Sequence, residues 1–380
     1  MRILHWYPNF LGGGGVANAV LGLAAAQAEL GHDVTVAAAE PANAPLYEPM
    51  DAEGVQLTTF RERRRLQRAG LRLRLIERED KERLRALAPD VVHAHGEFNP
   101  DNLWAVRLFD APSFLSPQGA FHPVVLRKSR RLGKNAYLPV ARRLLYARLT
   151  AMHVLSPDEA RDVRAALGDV PVYAAPQGGN VRVRPPAQRL TRRAANGGPV
   201  RFVSVGRLDV YTKGLDVLLD AFAAARATVP IELTVVGPDW NGGRSALEDR
   251  AATLGLNGSV RFTGPLPGAD VAHELQRADV YVQLSRHEGL PLAVTEALAA
   301  GKPAVLSAAI GTCSIPEVQR FRHVIVTEPA PEAASAALTR ASRSIDELRG
   351  AAGDSADDVA RLFSWRRIAQ LHIDRYESAC

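Results

Sequence analysis

The chain has few cysteines and no long apolar run. Only Cys313 and Cys380 are cysteines among its 380 residues, and their separation fits neither a disulfide framework nor a cysteine-rich metal site. We therefore expect a reducing, cytoplasmic compartment. No window is long and apolar enough to span a bilayer, and the first residues read as a strand rather than as a signal peptide.

The net charge of +6 is unevenly distributed along the chain. The run from Arg61 to Arg85 mixes arginines with acidic residues, a composition that predicts solvated helix faces. The run from Arg127 to Arg148 contains no acidic residue, so it predicts an anionic partner, either a membrane surface or an acidic acceptor molecule. Aromatic residues do not interleave with these basic residues, so nucleic acid is not expected as a partner.

Short apolar runs alternate with helical stretches, which is typical of parallel βαβ units. The length exceeds one ordinary core and fits two domains. Residues 181–199 are rich in proline, glycine and arginine and predict a linker. We expect one Rossmann-like domain over residues 1–180 and another over residues 200–380. The predicted strands are Ile3–Tyr7, Asp33–Ala38, Val91–His95, Ser113–Ser116, Met152–Leu155, Val172–Ala175, Arg201–Val205, Glu232–Val236, Ser259–Phe262, Val280–Leu284, Ala304–Leu306 and Val324–Val326.

Two carboxylates, Glu288 and Glu296, flank a Gly-Leu-Pro turn. Glu288 follows a predicted strand, and Glu296 lies about two turns further on, along the apolar helix that follows. Because both lie on one local segment, an acid/base pair acting from opposite walls is disfavoured. The pattern favours carboxylates that bind hydroxyl groups beside helix amides that bind a diphosphate. In the alternative, Glu288 complements the helix dipole and Glu296 is solvated.

A second candidate site follows the first predicted strand of the C-terminal domain. There Gly206 and Arg207 open a βα loop that ends at Lys213 and Gly214. Two cations at the carboxyl end of a strand would stabilise a diphosphate, above all one that departs with added charge. The alternative is a pair of surface cations without a ligand.

A glycine run, Gly12 to Gly15, separates the first predicted strand from a helix predicted over Val16–Glu29. Glycines there allow close approach of a ligand and leave helix amides free for an anion, so Gly14 and Gly15 are candidate binding residues. The spacing does not match the dinucleotide fingerprint, which leaves NAD binding as a minor alternative. A loop without a ligand is the other alternative.

Together these motifs resemble the retaining glycosyltransferases of family 4. The resemblance covers nearly the whole chain. It implies the GT-B fold, in which two doubly wound Rossmann-like domains face a cleft, and we expect the C-terminal helix to pack back on the first domain. The residues that carry it are Gly206-Arg207-Leu208 with Lys213-Gly214, the stretch from Glu288 to Val305, Asp90-Val91-Val92-His93-Ala94-His95-Gly96, and Pro316-Glu317-Val318.

The resemblance implies a role for each donor-side residue. Arg207 and Lys213 match the cations that hold the donor diphosphate, and Arg207, Lys213 and Glu288 are expected to be catalytic. Glu288 matches the acid near the donor sugar hydroxyls, and Glu296 the acid that binds the nucleotide ribose. Further donor contacts are implied for Gly14, Gly15, Gly206, Gly289, Leu290, Pro291 and Leu292.

The acceptor or sugar side departs from the family at one position. Family members often carry histidine in the loop after the fourth strand of the first domain, where this chain has Gln118. Glutamine can hydrogen-bond a sugar hydroxyl but cannot titrate. His95 and His122 are further candidates on this side, although either can equally be an incidental or packing residue.

The resulting hypothesis is a hexosyltransferase that moves a sugar, with retention, from a nucleoside diphosphate sugar to a hydroxyl of a glycan, glycolipid or small metabolite. A UDP- or GDP-sugar is the expected co-substrate, with no other cofactor. Because the chain lacks an Asp-x-Asp pair, we expect no metal. Peripheral contact with an anionic membrane is one option. The alternatives are an epimerase or phosphorylase of the same fold, and a non-catalytic protein that binds sugar nucleotides.

Overall fold

The computed structural model describes residues 1–40, 52–68, 71–128, 132–179 and 198–380. These residues form two compact units. The first comprises Met1–Gly178 and Ser364–Cys380, and the second Gly179–Phe363. Most of the predicted linker, 181–199, lies outside the described residues. Every helix in the described part of the chain is too short or too polar to traverse a bilayer.

Fifteen strands and fifteen α-helices are formed by the described residues. The strands are β1 (Arg2–Trp6), β2 (Asp33–Ala39), β3 (Val55–Phe60), β4 (Glu62–Arg68), β5 (Leu71–Ile76), β6 (Val91–His95), β7 (Ser113–Ser116), β8 (Ala151–Val154), β9 (Val172–Ala174), β10 (Val200–Val205), β11 (Ile231–Val236), β12 (Val260–Gly264), β13 (Val280–Gln283), β14 (Ala304–Ser307) and β15 (Val324–Thr327). The helices are α1 (Gly15–Glu29), α2 (Arg78–Ala86), α3 (Asn102–Ala105), α4 (Pro123–Lys128), α5 (Leu132–Leu144), α6 (Pro157–Leu167), α7 (Leu215–Arg226), α8 (Gly243–Thr253), α9 (Gly268–Arg277), α10 (Leu292–Ala299), α11 (Pro316–Gln319), α12 (Pro331–Arg343), α13 (Ile345–Asp354), α14 (Ala356–Leu362) and α15 (Trp365–Glu377).

The first unit is built on a parallel sheet in the order β3-β2-β1-β6-β7-β8-β9. Both faces of this sheet are covered, as β1 illustrates. Leu4 and Trp6 join one apolar cluster, and Ile3 joins another. This double burial explains why the strands read as continuous apolar runs rather than as alternating ones.

The second unit is a parallel sheet in the order β12-β11-β10-β13-β14-β15. Helices α7, α8 and α12 contribute to its main apolar cluster. The strand order reverses between β10 and β13, which are hydrogen-bonded neighbours. In doubly wound sheets, ligands bind outside the carboxyl ends of the strands at such a reversal. Both predicted Rossmann-like sheets are therefore confirmed, and every predicted strand is present within two residues of its expected limits.

The basic run from Arg61 to Arg85 was predicted to form solvated helix faces, and for most of its length this is wrong. It forms an antiparallel hairpin of β4 and β5, and only α2 is helical. The sequence Leu71-Arg72-Leu73-Arg74-Leu75 alternates with a period of two residues. That period is the signature of a strand and takes precedence over the helix propensity of arginine.

The C-terminal helix α15 belongs to the first unit, as expected, so the second unit ends at Phe363 rather than at residue 380. The indole of Trp365 packs directly on the backbone at Gly22 of α1 and at Gly178. A β-carbon at these glycines would lie 2.5 and 2.3 Å from the ring, respectively. Glycine at both positions is therefore what allows this tight contact.

Candidate functional site

In the second unit, the loop after β10 carries the predicted cations. It ends at Gly214, which has a φ of 61° and precedes α7. A β-carbon at Gly214 would lie 2.0 Å from the carbonyl oxygen of Leu284, at the end of β13. Only glycine permits both the left-handed backbone and this close approach. The loops that follow the two neighbouring strands are thereby held against each other.

Lys213 and Glu288 form an ion pair across these two loops. The Lys213 Nζ atom lies 2.5 Å from Glu288 Oε1, and the two side chains are only 16% and 20% exposed. Gly206 lies beneath the lysine, because a β-carbon there would meet the Lys213 Cε atom at 3.3 Å. The structure thus brings Glu288 of one predicted motif together with Gly206 and Lys213 of the other.

The backbone at Glu288 is held by the loop that follows β14. Its amide donates to the carbonyl of Ala309 at 3.3 Å, and its carbonyl accepts from the amide of Gly311 at 3.0 Å. In addition, Ser307 Oγ at the end of β14 donates to the carbonyl of Ser285 at 2.5 Å. The carboxylate therefore lies on a loop whose main chain is fixed on two sides.

A buried row of polar side chains leads out of β13 toward this loop. The Tyr281 hydroxyl donates to Gln283 Oε1 at 2.6 Å, and Gln283 Nε2 donates to Ser285 Oγ at 3.0 Å. Burial raises the pKa of Tyr281, and the negative charges of Glu288 and Glu296 raise it further. The phenol is therefore kept protonated and available as a donor.

Helix α10 begins directly after the Gly-Leu-Pro turn. Pro291 is its N-cap, and no side chain caps the first amides. Leu290 is buried and anchors the turn, while Gly289 and Leu292 remain partly accessible. Uncapped amides at a helix start carry a partial positive charge that suits an anion.

Glu296 lies one turn into α10 and is partly buried. Burial raises its pKa to about 7. The neighbours Thr295 and Ala297 are fully buried. The alternative of a solvated Glu296 is therefore disfavoured, and its carboxyl group changes charge near neutral pH.

Arg207 lies at the start of the β10 loop with about half of its side chain exposed. Its guanidinium carbon is 4.5 Å from the centre of the Trp240 ring. Its Nη2 atom is 3.9 Å from a carboxylate oxygen of Asp209, at the outer limit of an ion pair. Trp240 was not predicted as a site residue, because its loop carries no familiar motif.

A second arginine, Arg286, was also missed and fixes the same pair of loops. It donates two hydrogen bonds of 2.7 Å to Asp216 on α7 and one of 2.9 Å to the carbonyl of Tyr211. Burial acts to raise the pKa of Asp216, but the hydrogen bonds from Arg286 outweigh it and lower that pKa. A bidentate arginine–carboxylate pair of this kind sets both distance and orientation.

In the first unit, the predicted glycine loop lies between β1 and α1. Gly14 is the N-cap of α1 with a φ of 91°, and no side chain caps the helix. A β-carbon at Gly14 or Gly15 would have no neighbour within 4 Å. Packing does not demand glycine at these positions, although the left-handed backbone at Gly14 favours it. The space next to the helix start is compatible with an anionic ligand.

Gln118 follows β7 and has a φ of 58°, an uncommon conformation for a residue other than glycine. Its Oε1 atom accepts a hydrogen bond of 2.5 Å from Gln177. The next amide, that of Gly119, donates to Glu159 at 2.5 Å. Glu159 is buried, which raises its pKa to about 7. The strained backbone is thus held by neighbours on two sides.

His122 and His95 have different surroundings. His122 is partly buried, its Nδ1 atom accepts from the amide of Val124 at 3.3 Å, and burial lowers its pKa. His95 is fully buried, and its Nε2 atom lies 2.9 Å from Nδ1 of His5. The surroundings of His95 are therefore those of a residue packed in the core, as the alternative for this residue predicted.

His95 belongs to a cluster of five buried histidines that the sequence did not reveal. Burial lowers the pKa of every member, so the rings are neutral. His93 contacts the Tyr376 hydroxyl at 2.5 Å and Ser116 Oγ at 2.7 Å. The spacing His93-x-His95 was the one available signal, because alternate residues of a strand share a face. The members are His5, His93, His95, His153 and His372.

Three of these histidines could in principle meet at a metal ion. His5, His93 and His95 each offer a nitrogen within 4.8 Å of the other two. However, both nitrogens of His93 and both nitrogens of His5 already have protein partners. We therefore interpret this group as a hydrogen-bonded core rather than as a metal centre.

Two family comparisons bear on the chain as a whole. Residues 190–356 match the family described as "Glycosyl transferases group 1". Residues 14–177 match the "Glycosyl transferase 4-like domain". Together the two matches cover most of the chain. The chain belongs to glycosyltransferase family 4. All donor-side residues predicted in the second unit lie inside the first match, and Gln118 lies inside the second.

Two curated relatives of this family 4 glycosyltransferase differ in how much of their length is matched. The "D-inositol 3-phosphate glycosyltransferase" of Saccharomonospora viridis is 31% identical over 205 residues, which is 51% of this chain and 47% of the relative. The chain thus matches about half of that protein. The "GDP-mannose:cellobiosyl-diphosphopolyprenol alpha-mannosyltransferase" of Xanthomonas oryzae pv. oryzae is 27% identical over 307 residues, 76% of this chain and 74% of the relative.

Among solved structures, the Anabaena protein Alr3699/HepE in complex with UDP and glucose shares the fold. It superposes with a TM-score of 0.73 at 15% identity, and the match covers 100% of both chains. At this level of identity the likeness concerns the fold alone. It agrees with the two parallel Rossmann-like sheets of the family 4 glycosyltransferase.

Proposed function

We propose that this family 4 enzyme transfers a hexosyl unit, with retention, from a nucleoside diphosphate sugar to an acceptor hydroxyl. The bond between the sugar C1 atom and the phosphate oxygen breaks, and a bond from C1 to the acceptor oxygen forms. The acceptor proton passes to the departing phosphate on the same face. No metal is required in this scheme.

The ion pair between Lys213 and Glu288 carries this proposal. It holds an ammonium group and a carboxylate 2.5 Å apart, in loops that follow the two strands at the reversal of the second sheet. A ligand with an anionic end and a hydroxylated end would satisfy both groups at once. A sugar diphosphate has that combination, because its sugar hydroxyls and phosphates are adjacent.

The departing diphosphate gains charge in the transition state, and the groups proposed to bind it are positively charged or polarised. Arg207 and Lys213 lie in the loop that follows β10, and the uncapped amides of α10 come directly after the loop that follows β13. Fixed positive groups of this kind stabilise developing charge more strongly in a partly buried site than in water. They can take the place of a divalent metal ion, which supports metal-independent transfer.

Glu296 is the candidate for the nucleotide ribose. Its carboxylate lies on α10, one turn beyond the amides proposed for the diphosphate. A carboxylate can accept hydrogen bonds from both hydroxyls of a ribose. In the first unit, Gln118 is the candidate for a donor-sugar hydroxyl. Because glutamine does not titrate, we assign it a binding role.

An acidic acceptor is favoured over a neutral one. Three arginines of the predicted basic run, Arg142, Arg143 and Arg148, are exposed in the first unit. The names of both relatives contain a phosphorylated acceptor, an inositol 3-phosphate in one and a diphosphopolyprenol in the other. Exposed arginines suit phosphate groups of either kind.

A donor screen followed by a transfer assay tests the proposal. Thermal shift with UDP-glucose, UDP-N-acetylglucosamine and GDP-mannose would identify the donor, because a bound ligand raises the melting temperature. Release of UDP or GDP is then followed with inositol phosphates and polyprenyl phosphates, and the product anomer is assigned by NMR. Each assay is repeated with EDTA.

Each component of the proposal has a result that would contradict it. Inversion at C1 would exclude retention, and activity lost in EDTA and restored by Mg²⁺ or Mn²⁺ would exclude metal independence. Conversion of the donor alone, without acceptor, would indicate an epimerase. Binding of the donor without turnover in any assay would favour a non-catalytic protein.

A further inference from the structure

Trp240 is a large aromatic side chain that remains 45% exposed in the second unit. It lies in the loop between β11 and α8, beside the loop after β10. Its ring faces the guanidinium of Arg207 at 4.5 Å. A guanidinium at this distance from a tryptophan face is attracted by the ring, so the indole can hold Arg207 in one orientation.

The Trp240 loop is locked to the Arg207 loop by main-chain contacts. A β-carbon at Gly237 would lie 1.9 Å from the carbonyl oxygen of Gly206, and one at Gly243 would lie 2.0 Å from that of Leu208. The amide of Leu208 also donates to the carbonyl of Pro238 at 2.9 Å. The two backbones therefore approach as closely as glycine permits, and this fixes the relative position of ring and arginine.

The tip of the Trp240 loop is fixed by its own carboxylate. Asp239 accepts hydrogen bonds from the amides of Gly242 at 3.2 Å and Arg244 at 2.7 Å. These bonds hold the turn that carries the indole and start α8. The ring is thus presented by a rigid turn rather than by a loose loop.

Arg207 differs from Arg286 in how its guanidinium is held. Arg286 also stacks on an aromatic ring, that of Tyr211 at 4.6 Å, but it is bound in addition by two hydrogen bonds to Asp216. For Arg207 the contact with Asp209 is 3.9 Å long. A carboxylate partner would occupy the guanidinium donors, whereas an aromatic face leaves all of them free.

We propose that Trp240 is a positioning residue, whose indole face holds the Arg207 guanidinium so that its N–H groups point to the diphosphate of the donor. This inference rests on the proposed function, in which Arg207 binds that diphosphate. Arginine loses considerable rotamer freedom when it is fixed by a ligand, and stacking removes part of that freedom beforehand. Affinity for the diphosphate rises accordingly.

Affinity for UDP and GDP, measured by calorimetry, tests this role. Trp240→Leu keeps an apolar side chain but removes the aromatic face, and we expect it to weaken binding by about 3- to 30-fold. Trp240→Phe keeps a ring and should restore most of the affinity. Tyr211→Leu is the matched control, because Asp216 still holds Arg286 after that change. Equal affinities of wild type and Trp240→Leu, or of Trp240→Leu and Trp240→Phe, would overturn the proposal.

A double-mutant cycle shows whether Trp240 acts through Arg207. In an Arg207→Ala background, Trp240→Leu should cause no further loss of affinity. The same loss in both backgrounds would mean that the indole contacts the ligand itself, which contradicts a positioning role. The proposed function is judged separately. If wild type binds UDP or GDP but transfers no sugar, the transfer proposal fails, and the binding cycle still decides the role of Trp240.

Discussion

Lys213 and Glu288 lie in contact, with Nζ 2.5 Å from Oε1, although seventy-five positions separate them in the sequence. The contact exists because β10 and β13 are adjacent in the sheet and Gly214 lets their loops touch. Each side chain thereby orients the other before any ligand arrives. In the proposed reaction this pair defines where the phosphate and the sugar meet.

The first prediction concerns the cation of this pair. Lys213→Ala should lower kcat/KM for sugar transfer, because one fixed positive group near the leaving diphosphate is removed. The expected loss of transition-state stabilisation is about 2–4 kcal/mol. Release of UDP or GDP in a coupled assay measures the change. Arg361→Ala is the control, since Arg361 is exposed and paired with Asp358 on the surface. Unaltered transfer by Lys213→Ala would remove this residue from the site.

The second prediction concerns the pH dependence of donor binding. Burial raises the pKa of Glu296 to about 7, so its carboxylate form becomes dominant only above that pH. Affinity for the nucleotide sugar should therefore increase as the pH rises through about 7, because the charged form is the better acceptor for ribose hydroxyls. Donor dissociation constants measured from pH 5.5 to 8.5 should show this step.

Two variants separate Glu296 from other groups that titrate near neutral pH. In Glu296→Gln the step should disappear and the affinity at high pH should fall. The exposed Glu347→Gln on α13 should retain the wild-type profile. A step that survives in Glu296→Gln would belong to another group, such as Glu159, whose pKa is also raised to about 7 by burial.

The third prediction concerns acid stability of the buried histidine cluster. Burial lowers the pKa of His5 and of His153 from 6.5 to about 4. A histidine with a lowered pKa binds its proton more readily in the unfolded chain. Stability is therefore fully present above pH 6.5 and is lost as the pH falls toward 4. Urea unfolding between pH 7.5 and 4.5 should show a falling free energy of unfolding.

Single replacements test the origin of that fall. His5→Gln can still bond to its neighbours but takes up no proton, so the free energy of unfolding should depend less steeply on pH. His273→Gln, at an exposed position on α9, is the control and should keep the wild-type slope. An unchanged slope in His5→Gln would show that this ring does not contribute.

The strands and the donor-side motifs could be predicted because their signals are local. Continuous apolar runs between helical stretches mark buried parallel strands, and a cation or acid directly after such a run is expected at the carboxyl edge of the sheet. Arg207, Lys213 and Glu288 were assigned to that edge in this way, and the structure has them in the loops that follow β10 and β13. The hairpin of β4 and β5 was missed, because arginine-rich segments read as helix unless their period of two is counted.

The histidine cluster and Trp240 could not be predicted, because their meaning depends on contacts between distant segments. His5, His153 and His372 come from three separate elements and meet only in the folded unit. Trp240 gains its role from a neighbouring loop more than thirty positions away. A single sequence carries no signal for such pairings until strand order is known.

The last prediction concerns the docking of α15 on the first unit. Gly22→Ala places a methyl group where the indole of Trp365 lies, since the β-carbon would be 2.5 Å from Cε2. Overpacking of this kind lowers the free energy of unfolding by about 1–3 kcal/mol. This loss exceeds the stabilisation that alanine provides over glycine within a helix. Thermal unfolding should show the loss, and Trp365→Leu should relieve much of it in the double variant, because the smaller side chain leaves room for the methyl group.

Gly350→Ala, in α13 with no neighbour within 4 Å, is the control and should be neutral or stabilising. A stable Gly22→Ala would mean that α15 shifts freely, and tight docking through Trp365 would then be excluded.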